Sequence, residues 1–586
     1  MKRTFLGISI WLVLVVWVRA ANPAMPNIPA TVFNVTNYGA IGDGITDNTI
    51  YIQNAINAAN AAGGGVVEIP AGTYLSGPLT PLSSINLQVD TNAMLQMLPL
   101  GTYPGGTTNA QPLLYCTSGH DIEISGQGTI DGQGAAWWSA YNSDNSVSRP
   151  MIIDLYNVSR LYIHDITLQN PPYHHCGVRG NSGDITISNL TVNTSSSSPN
   201  TDGLNFVGTN AIIENCHISD GDDNIALGAT GPIDDLLITH CTFGSGHGVS
   251  IGSSISVIIT NLLVTDCTFN GTVSGIRIKS DDGLGGLVDN ATYCNLGMTN
   301  VEFPIVIYSY YSEVGTPSKI SPLYAATQTV AAVNSLTPIY RDITFSNITA
   351  TSISGYPIGI IWARTEAPAT NIVFNKVNIT GNRSFDLYNV SGAQFIDCNL
   401  NPSATSNTFA LFNAQVIVTN SAPTNTLFTF DGLTTNGYGN SLAFYNAAGA
   451  LKNTNALGNG PLTLAASTFT VSNNLTLFPT TLVNFTLGTN ATTLAVAGNL
   501  ALGGTSDIFA GSGFTNGTYT LMTYTGTLSG NLPVLGATPS DYNYAIDTST
   551  TGQVNLVVAT AVTPPLAPTG LTATAGNTQV SLSWTA

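Results

Sequence analysis

One eight-residue phrase recurs along the chain: apolar, any, apolar, any, polar turn residue, apolar, any, apolar. It reads LYIHDITL over Leu161–Leu168, ITISNLTV over Ile185–Val192 and AIIENCHI over Ala211–Ile218. It returns as LLITHCTF over Leu236–Phe243 and LLVTDCTF over Leu262–Phe269, with weaker copies at Ile343–Ala350 and Ile372–Ile379. The apolar residue after the turn is Ile166, Leu190, Cys216, Cys241 and Cys267, at steps of 24, 26, 25 and 26. Short strands of period-2 alternation at this spacing predict an all-β chain wound as a parallel β-helix. Each coil needs its neighbours to bury its inner face, and stacked coils sit about 4.8 Å apart.

The stacked cysteines then read as inward core residues standing where other coils carry Ile or Leu. Sulfurs one coil apart are within disulfide reach, but packing is the preferred reading because a buried thiol behaves as a small hydrophobe. The open end of a β-helix needs a cover. Thr49–Ala62 has helical spacing, with Ile50, Ile52, Ala55, Ile56 and Ala59 on one face, and predicts an N-terminal capping helix. Gly63–Gly65 ends it, and Val66–Pro70 is expected to begin the first strand.

Composition narrows the function. The 586 residues are 43% hydrophobic and 8% charged, with 14 Lys+Arg against 32 Asp+Glu and a formal charge of −18. Disorder is excluded by the hydrophobicity, and a nucleic-acid partner by the acidity. Lys2 and Arg3 before the apolar run Phe5–Val18, with Val18-Arg19-Ala20 as a cleavage site, predict a signal peptide over residues 1–20. The mature chain is expected to be secreted, without a membrane span, and monomeric. Seven cysteines show no zinc-type spacing, so a metal cage is not expected.

Chemistry concentrates in one slot of the repeat. Four segments align on paired inward residues: Leu204/Phe206, Ile225/Leu227, Val249/Ile251 and Ile276/Ile278. Two residues ahead of each pair stand Asp202, Asp223, His247 and Ser274, with Asp222 beside Asp223 and Arg277 and Lys279 flanking Ile278. Carboxylates this close raise one another's pKa, which suits acid–base hydrolysis of a glycosidic bond. The two cations suit an anionic substrate group. Single turn motifs such as Asn200–Gly203 are as well explained by backbone geometry; their coincidence in one slot is the specific signal. His174, His175 and Arg179, one coil upstream, read as structural or as an extension of the site.

Asn200–Gly203 (NTDG), Gly221–Asp223 (GDD), Gly246–Gly248 (GHG) and Arg277–Lys279 (RIK) resemble the four signature segments of the polygalacturonases, the family-28 glycoside hydrolases. The resemblance runs from about Val32 to Leu400. It implies a right-handed parallel β-helix and metal-free hydrolysis of α-1,4-linked galacturonan with inversion. Asp222 would be the general acid, Asp202 and Asp223 would activate the water, and His247 would tune the acid. Arg277 and Lys279 would bind the galacturonate carboxylate, and Tyr311 would contact substrate, with Tyr308 and Tyr310 as neighbouring rivals. One departure is Asn224, where many relatives place Cys after the paired aspartates. The retained His and Arg-x-Lys separate the chain from the rhamnogalacturonase branch.

After about residue 400 the composition shifts: residues 453–563 hold no Lys or Arg and only three acids. Residues 401–563 read as a β-rich repetitive extension, following a catalytic domain over 21–400. Residues 564–586 read as a Pro-rich linker and an incomplete fibronectin type III start, expected to be unfolded or poorly packed. The alternatives to a hydrolase are a β-helical surface adhesin or spacer, and a pectate lyase-type eliminase.

Overall fold

The computed structural model describes residues 22–585 except 229–230, 254–257, 315–320, 354, 403–405, 422–427, 434–438, 452–456, 458–459 and 562–568. The proposed signal peptide lies outside the described residues. The chain divides into two compact units, one up to Leu462 and one from Thr463.

The first unit is a right-handed parallel β-helix. Its recurring phrase lies in register from coil to coil: Thr167 pairs with Thr191, Thr191 with His217, His217 with Thr242, and Thr242 with Thr268. The polar turn residue has a conformational reason. Asp165, Asn189, Asn215, His240, Asp266, Asn295 and Asn347 all adopt φ between 51° and 56°. That left-handed region disfavours most side chains but tolerates Asn and Asp. The corner bends the chain at one such residue, and the next side chain falls inward. Ile166, Leu190, Cys216, Cys241, Cys267, Leu296 and Ile348 follow these corners, Val377 and Cys398 follow Lys376 and Asp397 at φ of 55° and 52°, and all nine are buried. All seven cysteines are free, as the packing reading expects. Deeper in the core, Tyr293, Phe345, Phe374 and Phe395 form a column of stacked rings 4.5–5.3 Å apart.

The helix forms over Thr49–Ala61 and packs on the strands Val32–Asn34 and Gly65–Ile69. Ile52, Ala55, Ile56 and Ala59 are fully buried, but Ile50 is 64% exposed and does not belong to the packed face. The three glycines that end the helix have φ of 90°, 119° and 156°. A Cβ on Gly64 would meet Ser84 O at 2.4 Å, so only glycine fits this turn. The helix is also not the beginning of the β-structure: Val32–Asn34 pairs in parallel with Val66–Glu68, so a strand precedes it.

Parallel stacking does not stop at residue 400, where composition changes. Phe409–Thr419 pairs with Arg383–Ile396, and Ser441–Tyr445 with Phe409–Thr419. In the second unit, Thr468–Val471 pairs in parallel with Thr493–Val496, and Leu482–Leu487 with Thr505–Ala510. The unit then turns antiparallel, Gln553–Thr560 pairing with Gly517–Tyr524 and Tyr542–Asp547. Thr569–Gly576 and Gln579–Thr585 form an antiparallel hairpin whose residues are all exposed. Among the described residues, no helix is long and apolar enough to cross a membrane.

Candidate active site

The four aligned segments are four successive strands of one parallel sheet. Leu204 pairs with Ile225, Ile225 with Val249, and Val249 with Ile276; Phe206, Leu227, Ile251 and Ile278 align likewise. Asp202, Asp222, Asp223 and His247 stand on the turns that enter these strands. Arg277 and Lys279 lie on the fourth, Ser274–Lys279, on the side opposite inward Ile276 and Ile278. Coil stacking therefore brings together residues up to 77 positions apart.

Asp223 is the hub. It is 3% exposed, accepts from Arg277 Nη2 on Oδ1 and from Lys279 Nζ on Oδ2 at 3.0 Å. Burial pushes its pKa up, but Arg277, Lys279 and His247 outweigh burial and hold it well below the usual carboxylate range. Arg277 also donates to Ser250 Oγ at 3.0 Å, which fixes the guanidinium plane. His247 Nδ1 lies 3.0 Å from Asp222 Oδ1 and 3.6 Å from Asp223 Oδ1. Burial lowers the His247 pKa, yet the two carboxylates win and raise it. Burial raises Asp222 and Asp223 repels its charge, but the imidazole and Lys279 pull it below its ordinary value. Asp222 and His247 therefore each favour the other's charged form. Asp202 accepts from Asn205 Nδ2 at 3.0 Å and has His174 Nδ1 at 3.2 Å.

The neighbouring residues sort clearly. His175 is fully buried between Asp202 O and Thr194 Oγ1, and burial lowers its pKa to about 3. Arg179 is turned to Asp154, with Nε at 2.9 Å from Oδ1. Of the three upstream residues, His174 reaches a side chain of the cluster, whereas His175 meets only the backbone carbonyl of Asp202. Among the tyrosines, Tyr308 and Tyr310 are buried, while Tyr311 is 39% exposed with Lys279 Nζ 5.1 Å from its ring centroid.

Sequence reasoning missed Asp220, although it stands two residues before the acid pair. It is fully buried; its Oδ1 accepts from Asp222 N at 3.0 Å and its Oδ2 from Asn224 Nδ2 at 3.1 Å. Burial dominates here, and with the nearby Asp202 and Asp223 charges it raises the pKa well above the ordinary value, against the pull of those hydrogen bonds. The Asn224 amide also donates to Ser245 O at 2.8 Å and accepts from Gly248 N at 2.8 Å. The departure from Cys thus clamps both sides of the turn that carries His247.

Asp222, Asp223 and His247 offer ligand atoms within 4.8 Å of one another. Both Asp223 oxygens, however, already accept from fixed cations. A divalent ion would face a guanidinium and an ammonium across a shared carboxylate, so the donor set suits a proton better than a metal.

Residues 65–394, more than half of the chain, match the family model Glycosyl hydrolases family 28. The chain is 30% identical over 360 residues to a probable polygalacturonase of Arabidopsis thaliana, covering 59% of this chain and 73% of that one. It is 28% identical over 374 residues to an endo-polygalacturonase of Pectobacterium carotovorum subsp. carotovorum, covering 58% and 87%. Among solved structures, a polygalacturonase from Erwinia carotovora ssp. carotovora superposes with a TM-score of 0.52 at 26% identity, covering 64% of this chain and 99% of that one. The cluster of acids, imidazole and cations thus sits on the fold and within the matched span of a known hydrolase family, and the chain belongs to glycosyl hydrolases family 28 as a polygalacturonase-like glycoside hydrolase.

Proposed function

We propose that this protein hydrolyses α-1,4-galacturonosyl linkages of polygalacturonate or pectin by a single inverting displacement. The observation that carries the reading is the convergence of three carboxylates, one imidazole and two buried cations in one register slot. In this reading the Asp222–His247 pair holds the proton that Asp222 delivers to the leaving oxygen as the glycosidic C–O bond breaks. Water attacks the anomeric carbon from the opposite face and gives its proton to Asp202, with Asp223 orienting it. Asp202 keeps lone pairs free for this, since each carboxylate oxygen accepts more than one hydrogen bond. Arg277 and Lys279 spend their first contacts on Asp223, and their remaining donors take the sugar carboxylate. Tyr311, exposed beside Lys279, supplies a face for the same sugar.

Residues 1–20 act as a secretion signal in this proposal, residues 21–400 as the catalytic domain, residues 401–563 as a spacer, and the protein works as a monomer outside the cell. Digestion of polygalacturonate tests the chemistry. New reducing ends that appear without an ultraviolet-absorbing unsaturated product, with or without EDTA, support it, as does initial release of the inverted anomer by NMR. Unsaturated product lost on adding EDTA would make the protein an eliminase, and inactivity under both conditions would favour an adhesin or spacer.

A further inference from the structure

Arg149 lies outside every signature segment, in the connection after the helix Ala135–Ser143. Its guanidinium nevertheless reaches two successive coils. Nη1 donates to Pro172 O at 3.2 Å and to Pro199 O at 2.6 Å, and Nη2 donates to Asn200 Oδ1 at 2.8 Å. The guanidinium carbon sits 3.7 Å from the Tyr141 ring centroid and 5.0 Å from that of Tyr173. Asn200 in turn donates from Nδ2 to Asp222 Oδ2 at 3.3 Å. An Asn amide has one accepting and one donating end. With Arg149 donating to the oxygen, the nitrogen must face Asp222. Flipped, the amide would set donor against donor at Arg149 and acceptor against carboxylate at Asp222.

We propose that Arg149 is a positioning residue for the acid–base pair, acting through the Asn200 side chain on Asp222; the inference rests on the roles assigned to Asp222 and His247 above. The N–H from Asn200 stabilises the ionised form of Asp222 on the oxygen that His247 leaves free. The other groups facing Asp222 are His247 and Asp223, Asp220 beneath its backbone N–H, and the more distant Lys279, Arg277 and Tyr173. Among the described residues, the donor that holds Asn200 Oδ1 is Arg149. Losing the fork frees the amide, weakens support for the carboxylate and raises the apparent pKa of the pair.

Kinetics of the full chain on polygalacturonate test this, with unfolding midpoints measured alongside. Arg149→Met should lower kcat about tenfold with little change in KM, since loss of geometry outside the reacting groups acts on the transition state. The alkaline limb of kcat should move up by about one unit, the effect of removing a hydrogen bond to the charged form. Arg149→Lys keeps the charge but cannot span the three acceptors, so it should resemble Arg149→Met. The double variant Arg149→Met/Asn200→Ala should be no worse than the worse single variant. An unshifted limb in a folded Arg149→Met, full rescue by Lys, or additive losses would overturn the inference. If Arg149→Met does not fold, Asn200→Ala alone must move the limb upward, and an unmoved limb there overturns it equally. Asp222→Asn separates the two levels: substantial remaining activity would sink the acid role itself, whereas an inactive Asp222→Asn beside an unshifted Arg149 variant would sink only this link.

Discussion

Two stretches of the same sheet in the first unit make opposite surfaces from one backbone frame. Inward, Ile278, Ile307, Ile361, Leu387 and Leu411 succeed one another in register. Outward, the earlier coils present Asn205, Ser250, Arg277 and Lys279. In the later coils the row of Lys279 continues as Tyr308, Trp362, Tyr388 and Phe412. These aromatics are buried with Val306 and Ile360, and Tyr324, Ala325 and Ala326 of the helix Pro322–Ala326 pack on them. Coil stacking is indifferent to what points outward; the outward row alone separates a polar site from a second hydrophobic core. Each stretch also holds a buried acid. Asp223 has two cations and is driven down, whereas Asp386 has Ser384 Oγ at 2.6 Å, and burial raises its pKa to about 7 against that hydroxyl and Arg383. Partners, rather than depth, set the sign.

Removing the acid from the polar stretch should have the largest effect. Asp222→Asn is expected to lower kcat about 10³-fold, the range of general-acid catalysis, while the unfolding midpoint stays near that of the wild type. Retained turnover would move the acid role elsewhere. Asp386 tests the other stretch through stability. Its folded pKa lies above the ordinary carboxylate value of about 3.9, so between that value and about 7 the folded state keeps a proton that the unfolded chain has lost. Its contribution is therefore greatest at low pH and declines as pH rises through this window. Asp386→Asn should remove the decline and add as much as about 4 kcal/mol at pH 8 relative to wild type, read by urea unfolding across pH 4–8. A variant with the wild-type pH slope would mean that Asp386 is ionised in the fold, and the contrast with Asp223 would fail.

Much of this contrast is legible in the sequence, because inward residues keep period 2 and corners favour Asn or Asp. The slot that gathers Asp202, Asp223 and His247 follows from counting along the same repeat. What escapes is carried by turns, which have no period. Asp220 acts by bonding the backbone N–H of Asp222 in its own turn, Asn224 by bonding backbone groups of the next turn, and Arg149 bonds carbonyls 23 and 50 residues away. Ile50 fits the helical spacing, yet the first turn of the helix leaves it outside the packed face. The shift in composition near residue 400 reflects loss of surface charge, to which the inward apolar rows do not respond.

Lys279 is where the two stretches meet, one coil before Tyr308. Lys279→Met keeps an apolar stem but leaves Asp223 with Arg277 alone. KM for polygalacturonate should rise about tenfold, as when one charged hydrogen bond is lost. The stability that Asp223 contributes above the ordinary carboxylate pKa, which disappears as pH falls through its depressed folded value, should be lost at a higher pH than in wild type. Unchanged KM with altered acid stability would assign Lys279 to Asp223 alone and remove it from the substrate.

The smallest effect belongs to the inward row, whose indifference is the premise of the whole contrast. Cys241 is 1% exposed, lies between Cys216 and Cys267, and shares its slot with Leu190, Leu296 and Val377. Its sulfur points into the core, away from the turns that carry Asp222 and His247. If packing volume is all that the slot requires, Cys241→Val should cost less than about 1.5 kcal/mol, as size-conserving core changes do, and leave kcat, KM and the pH profile unaltered. A shifted pH profile would mean that inward residues communicate with the outward site through the strand, and the two rows could no longer be treated as independent.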